Sequence, residues 1–207
     1  MMKNQGITDV IATPHFYADS DGLEEYKAKV TNAYNMLNSA IADTDLPKIY
    51  LGSEVLYYRY IGKSDSAYNF CLNNSDYLLL ELSDNSIGAE LFEDISDLSS
   101  NLGISPIIAH LERYYKYPAY KNLLKFIAEN GILAQVNASS LFTPGYSKIA
   151  EKLIKNRLVN FIGTDAHSPD KRPPMMKQAL RVISEKFGSE YASGFIRNSQ
   201  TLLERIG

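Results

Sequence analysis

Apolar positions along the chain fall into two rhythms. Short aliphatic runs read as strands at residues 8–13 (TDVIAT, stopped by Pro14), 48–53 (KIYLGS), 77–82 (YLLLEL), 105–109 (SPIIA), 133–137 (LAQVN) and 159–163 (VNFIG). The run YLLLEL is apolar apart from Glu81, as expected of a strand buried on both faces. Between the runs the spacing changes to that of helices. These cover residues 23–42, with Asp21 or Ser20 as N-cap, then 90–102, then 119–129 closed by Asn130 and Gly131, and 147–156. A helix over 173–187 carries proline in its first turn, and one or two short helices at 190–197 and 199–205 close the chain. Residues 1–5 followed by Gly6 read as the last turn of a helix with a glycine cap. A domain that begins on the end of a helix suggests a missing segment before it.

Strands alternating with helices from end to end predict an α/β fold with a parallel sheet, and this many repeats suit a barrel better than a small open sheet. In such barrels the chemistry sits at the C-terminal strand ends. There the chain places His15, Glu54, Glu81, then His110 with Glu112 and Arg113, then Asn137, and finally Asp165 and His167. All three histidines of the protein fall at these ends. Asp165 and His167, two apart on an extended chain, would share a face. Alone, that pair reads better as a capping aspartate and a loop histidine. His15 alone would be a turn residue, and Glu54 a helix-capping acid as readily as a ligand. Glu81 is harder to dismiss, because a carboxylate buried in a strand needs a partner or a metal. Arg113 would either pair with Glu112 or grip an anion such as phosphate. Taken together, the imidazoles and carboxylates at one barrel mouth can hold more than one divalent ion of the Mn, Fe or Zn type.

Composition narrows the alternatives. Net charge is −3 with pI about 5.7, which gives no electrostatic case for nucleic-acid binding. No apolar run reaches the length of a membrane span, no signal-peptide pattern opens the chain, and the single cysteine, Cys71, fits a reducing cytoplasm. No repeat or long linker divides the 207 residues, which predicts one domain. Cys71 lacks the arginine of a thiol-phosphatase loop, since Tyr77 stands at that position, so it reads as a small core residue. No phosphate-binding glycine loop and no G-x-S-x-G elbow is present. The 15 tyrosines include clusters at Tyr57, Tyr58, Tyr60 and at Tyr114, Tyr115, Tyr117, Tyr120, for which rim packing is the expected role over an aromatic substrate pocket.

The segments ATPH, GSE, YLLLELS, IIAHLERY, QVNASSL and GTDAHSPDKRPP together resemble the bacterial manganese-dependent protein-tyrosine phosphatases of the PHP superfamily, encoded with capsule and exopolysaccharide genes. The resemblance covers essentially the whole chain and keeps the family's motif order. It implies a distorted (β/α)7 PHP-type barrel holding up to three Mn2+ ions. Carried over, His15, Glu81 and His110 bind one ion, Glu54 bridges the other two, and Asp165 and His167 complete their shell. Arg113 and Arg172 match the phosphate-binding arginines. The departure is at the front, where the family's H-x-H strand, acidic loop and most of its first helix are absent. Truncation is expected rather than degeneration, because every downstream ligand type is intact. Sheet edges exposed beside a missing strand invite association of copies into a homo-oligomer.

The implied activity is hydrolysis of protein phosphotyrosine by a metal-bound hydroxide, with no covalent intermediate. The implied substrate is the tyrosine-rich tail of a bacterial tyrosine kinase. Two alternatives stand beside it: a small-molecule phosphoesterase of the histidinol-phosphatase kind, and an inert chain acting as a binding or structural module.

Overall fold

The structure is a computed structural model that describes residues 1–206. Strands β1 (Asp9–Ala12), β2 (His15–Phe16), β3 (Lys48–Leu51), β4 (Glu54–Leu56), β5 (Tyr77–Glu81), β6 (Ser105–Ile108), β7 (Leu133–Asn137) and β8 (Phe161–Gly163) are all paired in parallel. A six-stranded sheet runs β2-β4-β5-β6-β7-β8, and β1 pairs with β3 alone. Although β2 and β8 are the two ends of that order, the rings of His15 and His167 lie 6.3 Å apart. The sheet therefore curls until its edges approach, and the fold is a mixed α/β half-barrel.

Proline explains a first difference from expectation. The strands foreseen at residues 8–13 and 48–53 do not end there. Pro14 has no N–H to give, and the ladder breaks at that point. It resumes one step later, because the Gly52 N–H donates to the Ala12 carbonyl (2.8 Å) and the Glu54 N–H to that of Pro14 (3.1 Å). His15 and Glu54 are thus not beyond the strands but in them, opposite each other in register.

Alternation along β5 sorts its side chains between two cores. Leu78 and Leu80 join the large core that underlies the helices. Tyr77 and Leu79 face the concave side, where they meet Ile107, Ala109 and the Leu202 and Ile206 side chains of the last helix. On that concave side the strands are apolar at their starts and polar at their ends. Glu81 follows Leu79 in phase, and Gln135 and Asn137 follow Leu133.

The helices are α1 (Leu23–Ile41), α2 (Ala89–Ser100), α3 (Tyr120–Asn130), α4 (Ser147–Lys155), α5 (Met176–Phe187) and α6 (Ser189–Ile206). Each of α2 to α5 buries one stripe, such as Leu91, Ile95 and Leu98 on α2. Gly131 closes α3 in the left-handed conformation, φ 64°, as its position foretells. Beyond shifts of one or two residues at the ends of α1 to α4, three features of the helices differ from expectation. The N-cap of α1 is Gly22, because the Asp21 carboxylate instead accepts the Tyr17 N–H at 2.8 Å. Helix α5 starts at Met176, after the Pro173–Pro174 pair. The C-terminal segment is one 18-residue helix. Among the described residues no helix is long and apolar enough to cross a membrane.

Candidate metal centre

At the polar end of the concave face, one donor atom from each of His15, Glu54 and Glu81 lies within 4.8 Å of the others. The His15 Nδ1 is 3.8 Å from Glu54 Oε1 and 3.6 Å from Glu81 Oε2. That nitrogen is buried and has no hydrogen-bond partner. His110 joins from β6, its Nε2 3.0 Å from Glu54 Oε1 and 3.3 Å from Glu81 Oε1. Strand alternation alone would send His110 to the helix side with Ile108. Its backbone instead turns left-handed, φ 34°, a conformation uncommon for a residue with a side chain, and the ring comes over the concave face.

Burial works against a charged imidazole at His110, but hydrogen bonds to Glu54 and Glu81 outweigh it and lift its pKa to about 9. Burial likewise pushes the Glu81 carboxyl up, yet the hydrogen bond to His110 and the charges of His110, His15 and Arg113 bring it below the ordinary value. A protonated His110 thus balances the two carboxylates where a divalent cation could sit. The orphaned His15 nitrogen with the Glu54 and Glu81 carboxylates, and the His110 imidazole beside them, fit such an ion by chemistry and by position. Glu81 is less buried than YLLLEL suggests, with 21% of its side chain exposed, because it is the last residue of β5 and opens on the site.

Behind the ring, the Tyr114 hydroxyl lies 3.2 Å from His110 Nδ1 and accepts the Leu82 N–H at 2.9 Å. Tyr114 is 2% exposed. It therefore fixes His110 to the backbone next to Glu81. The sequence shows only a tyrosine cluster at this point, since the short helical turn Leu111–Lys116 that carries Tyr114 under His110 has no periodic signature.

A second cluster surrounds Asp165. Strand β8 stops at Gly163, and Asp165 takes a left-handed conformation, φ 46°. The extended geometry expected for Asp165 and His167 is therefore not what brings them together. The Asp165 Oδ2 accepts from Arg113 Nη2 (2.5 Å), from Arg172 Nη2 and from Asn137 Nδ2 (2.8 Å). His167 Nδ1 is 3.0 Å from the Asp165 carbonyl oxygen and 3.4 Å from Oδ1. Arg113 does not pair with Glu112. Glu112 is fully buried and accepts from Ser140 Oγ (2.6 Å) and the Asn137 N–H (3.2 Å), which ties the ends of β6 and β7 together. Gly163 leaves room for Gln135, whose Nε2 would lie 2.0 Å from a Cβ there and which donates to Asn137 Oδ1 at 3.3 Å.

The eight residues singled out in the sequence thus divide in two. His15, Glu54, Glu81 and His110 converge on one point, while Arg113, Arg172 and Asp165 form an ion-paired rim beside them that His167 adjoins. Asn137 stood at a strand end without an assigned role, Glu112 was considered only as a partner for Arg113, and Ser140 was seen only as part of the segment QVNASSL.

A family profile described as "Capsular polysaccharide synthesis, CpsB/CapC" matches residues 1–204. CapC of Staphylococcus aureus is 32% identical over 212 residues, spanning 99% of this chain and 82% of that protein. The tyrosine-protein phosphatase YwqE of Bacillus subtilis is 29% identical over 205 residues, spanning 96% and 79%. Among solved structures, a chain from the work on YwqE of Bacillus subtilis and CpsB of Streptococcus pneumoniae, described as metal-dependent tyrosine phosphatases, superposes with a TM-score of 0.86. It is 29% identical, and the match covers 100% of this chain and 84% of that one. The chain belongs to the CpsB/CapC family of capsular polysaccharide synthesis.

Proposed function

We propose that this chain is a metal-dependent protein-tyrosine phosphatase of capsule synthesis. The observation that carries the reading is the convergence of His15, Glu54, Glu81 and His110, with the buried His15 Nδ1 left without a partner, beside two arginines. Bound among these donors, a divalent ion supplies an acidified water near neutral pH and positive charge against the phosphoryl oxygens. Arg113 and Arg172, both on one side of the site and partly exposed, take the phosphate through their forked N–H groups. Asp165 holds the two guanidinium groups together, and Asn137 holds Asp165. No side chain is placed for covalent catalysis by a thiol, because Cys71 is buried and its thiol is pushed up to about 12.

The finer reading has four parts. The metal is Mn2+, up to three ions, with Fe or Zn as substitutes the same ligands accept. Asp165 and His167 contribute to the additional positions, a role supported by the closeness of the His167 and His15 rings. The half-barrel is a (β/α)7 PHP-type barrel and one phosphatase domain. The substrate is the phosphotyrosine tail of a bacterial tyrosine kinase in the cytoplasm.

Turnover of a phosphotyrosine peptide and of histidinol phosphate, each with Mn2+ and with chelator, tests the function. Metal-dependent turnover that favours the peptide is expected. Preference for histidinol phosphate would replace the protein substrate by a small molecule, and no turnover with bound metal would reject the enzyme.

Tyr114→Phe probes the support of the site. For Nε2 of His110 to bind a cation, the ring proton must sit on Nδ1, and the Tyr114 oxygen is its acceptor. Mn2+ affinity, read by calorimetric titration, is expected to fall about tenfold. Tyr120→Phe removes a buried hydroxyl that has no partner and is expected to leave the affinity unchanged.

A further inference from the structure

One aromatic side chain beside the metal centre has no part in the chemistry above. Tyr17 follows Phe16, which is buried in the core, so alternation places Tyr17 on the same side as His15. Its ring lies nearly parallel to that of His15, with centroids 5.4 Å apart and planes inclined by 16°. The outer face of Tyr17 is open, and the residue is 39% exposed.

The backbone beneath the ring is fixed. The Tyr17 N–H donates to Asp21 Oδ2 (2.8 Å), and the Tyr17 carbonyl accepts from the N–H groups of Ser20 (3.0 Å) and Asp21 (2.8 Å). Asp21 is thereby used up in this turn, which is why it does not cap α1. A cavity of about 300 Å3 opens against the ring. Its walls include His15, Tyr17, Tyr26 and Val30, with Glu25 and Lys29 also lining it. The space is open to solvent on one side and of mixed polar and apolar lining, and its volume leaves room for a single aromatic ring against Tyr17.

We infer that Tyr17 and this cavity form the subsite for the aromatic ring of an aryl phosphate monoester, and that Tyr17 is the residue that selects such substrates over alkyl phosphates. The inference rests on the phosphomonoester hydrolase reading above. In an aryl phosphate a single oxygen joins ring and phosphorus, so the ring must occupy the first space next to the phosphate. With the phosphate at the metal centre, the aromatic surface against His15 is Tyr17. An offset-stacked ring there gains contact that an alkyl chain of phosphoserine does not. The pinned turn means that this surface is already in place before substrate arrives.

Non-hydrolysable probes read this subsite apart from turnover. Calorimetric binding of phenylphosphonate and methylphosphonate to the Mn2+-supplied chain is expected to favour the phenyl compound about tenfold. Tyr17→Ala is expected to bring that ratio close to one while leaving methylphosphonate affinity unchanged, and Tyr17→Phe to keep the ratio. In kinetics, Tyr17→Ala raises KM for a phosphotyrosine peptide with little change in kcat. A wild-type ratio near one, or an unchanged ratio in Tyr17→Ala, overturns the subsite and leaves the phosphatase reading standing. If neither phosphonate binds and no phosphomonoester is turned over, both fall together.

Discussion

His110→Ala is expected to reduce metal-dependent phosphotyrosine hydrolysis at least about a thousandfold, because it removes a ligand from the group that must supply the charge and the acidified water. The residue is 1% exposed, and its Nε2 is the closest nitrogen to both carboxylates, 3.0 Å from Glu54 and 3.3 Å from Glu81. In the metal-free protein the same nitrogen carries the positive charge that balances them. Alanine leaves Glu54 and Glu81 facing each other without the nearest balancing group, with His15 at 3.8 and 3.6 Å and the charge of Arg113 still acting on Glu81. Breaking a buried pair in this way costs about 3–5 kcal/mol, so the metal-free variant is expected to melt well below the wild type. Loss of activity through unfolding and loss through the missing ligand are separable. Assays run below the melting point of the variant, with circular dichroism to confirm folding, isolate the ligand effect. Added Mn2+ should raise the melting temperature of the wild type and raise that of His110→Ala far less. Turnover within tenfold of wild type in a folded His110→Ala chain would remove His110 from the metal centre.

How far these residues were legible in the sequence depends on how local their cause is. The parallel α/β order and the strand YLLLEL rest on short-range pattern, and both stand in the fold. The placement of histidines and acids at strand ends needed only the order of the elements; Glu81 and His110 do stand at or just past such ends, whereas His15 and Glu54 open the short strands β2 and β4 beyond the Pro14 break. What escaped the sequence depends on partners distant along the chain. The ladder resumes beyond Pro14 only because the Gly52–Ser53 segment runs alongside to receive it. His110 and Asp165 turn left-handed, φ 34° and 46°, although neither is a glycine, because a network from other strands holds them. Asp165 is fixed by Arg113, 52 residues away, and Asn137, 28 away. The Asp21 capping expectation failed for a local reason of another kind. Its carboxylate had two nearby backbone uses, the first turn of α1 and the Tyr17 turn, and the latter also orients a ring beside the metal centre. Glu112 shows the same limit, since its neighbour Arg113 is the obvious partner in sequence while Ser140 and Asn137 are the partners in space.

The protonated His110 also makes metal binding and stability depend on pH in opposite directions. Its ordinary pKa is 6.5 and rises to about 9 in the fold. A group whose pKa is raised on folding stabilises the native state fully below its unfolded value, and that contribution is lost as pH rises through the folded value. Without metal, the chain is therefore expected to lose stability between pH 6.5 and 9, by up to roughly 3 kcal/mol at 1.36 kcal/mol per pKa unit. Glu81, held below its ordinary value, acts at the other end: its contribution is present above pH 4.5 and is lost as pH falls. Metal binding requires a bare Nε2, so one proton leaves His110 when the ion enters. Affinity for Mn2+ should then rise about tenfold per pH unit until pH nears 9, more than a hundredfold over the window. Melting curves in chelator and in saturating Mn2+, taken from pH 6.5 to 9, should diverge as pH increases, the first falling while the stabilisation by metal grows. Calorimetric titration in buffers of different ionisation enthalpy should count about one proton released per ion below pH 9. A metal-free melting temperature that stays level or climbs across this window would mean that His110 is neutral in the fold, and that the two carboxylates are balanced by some other group.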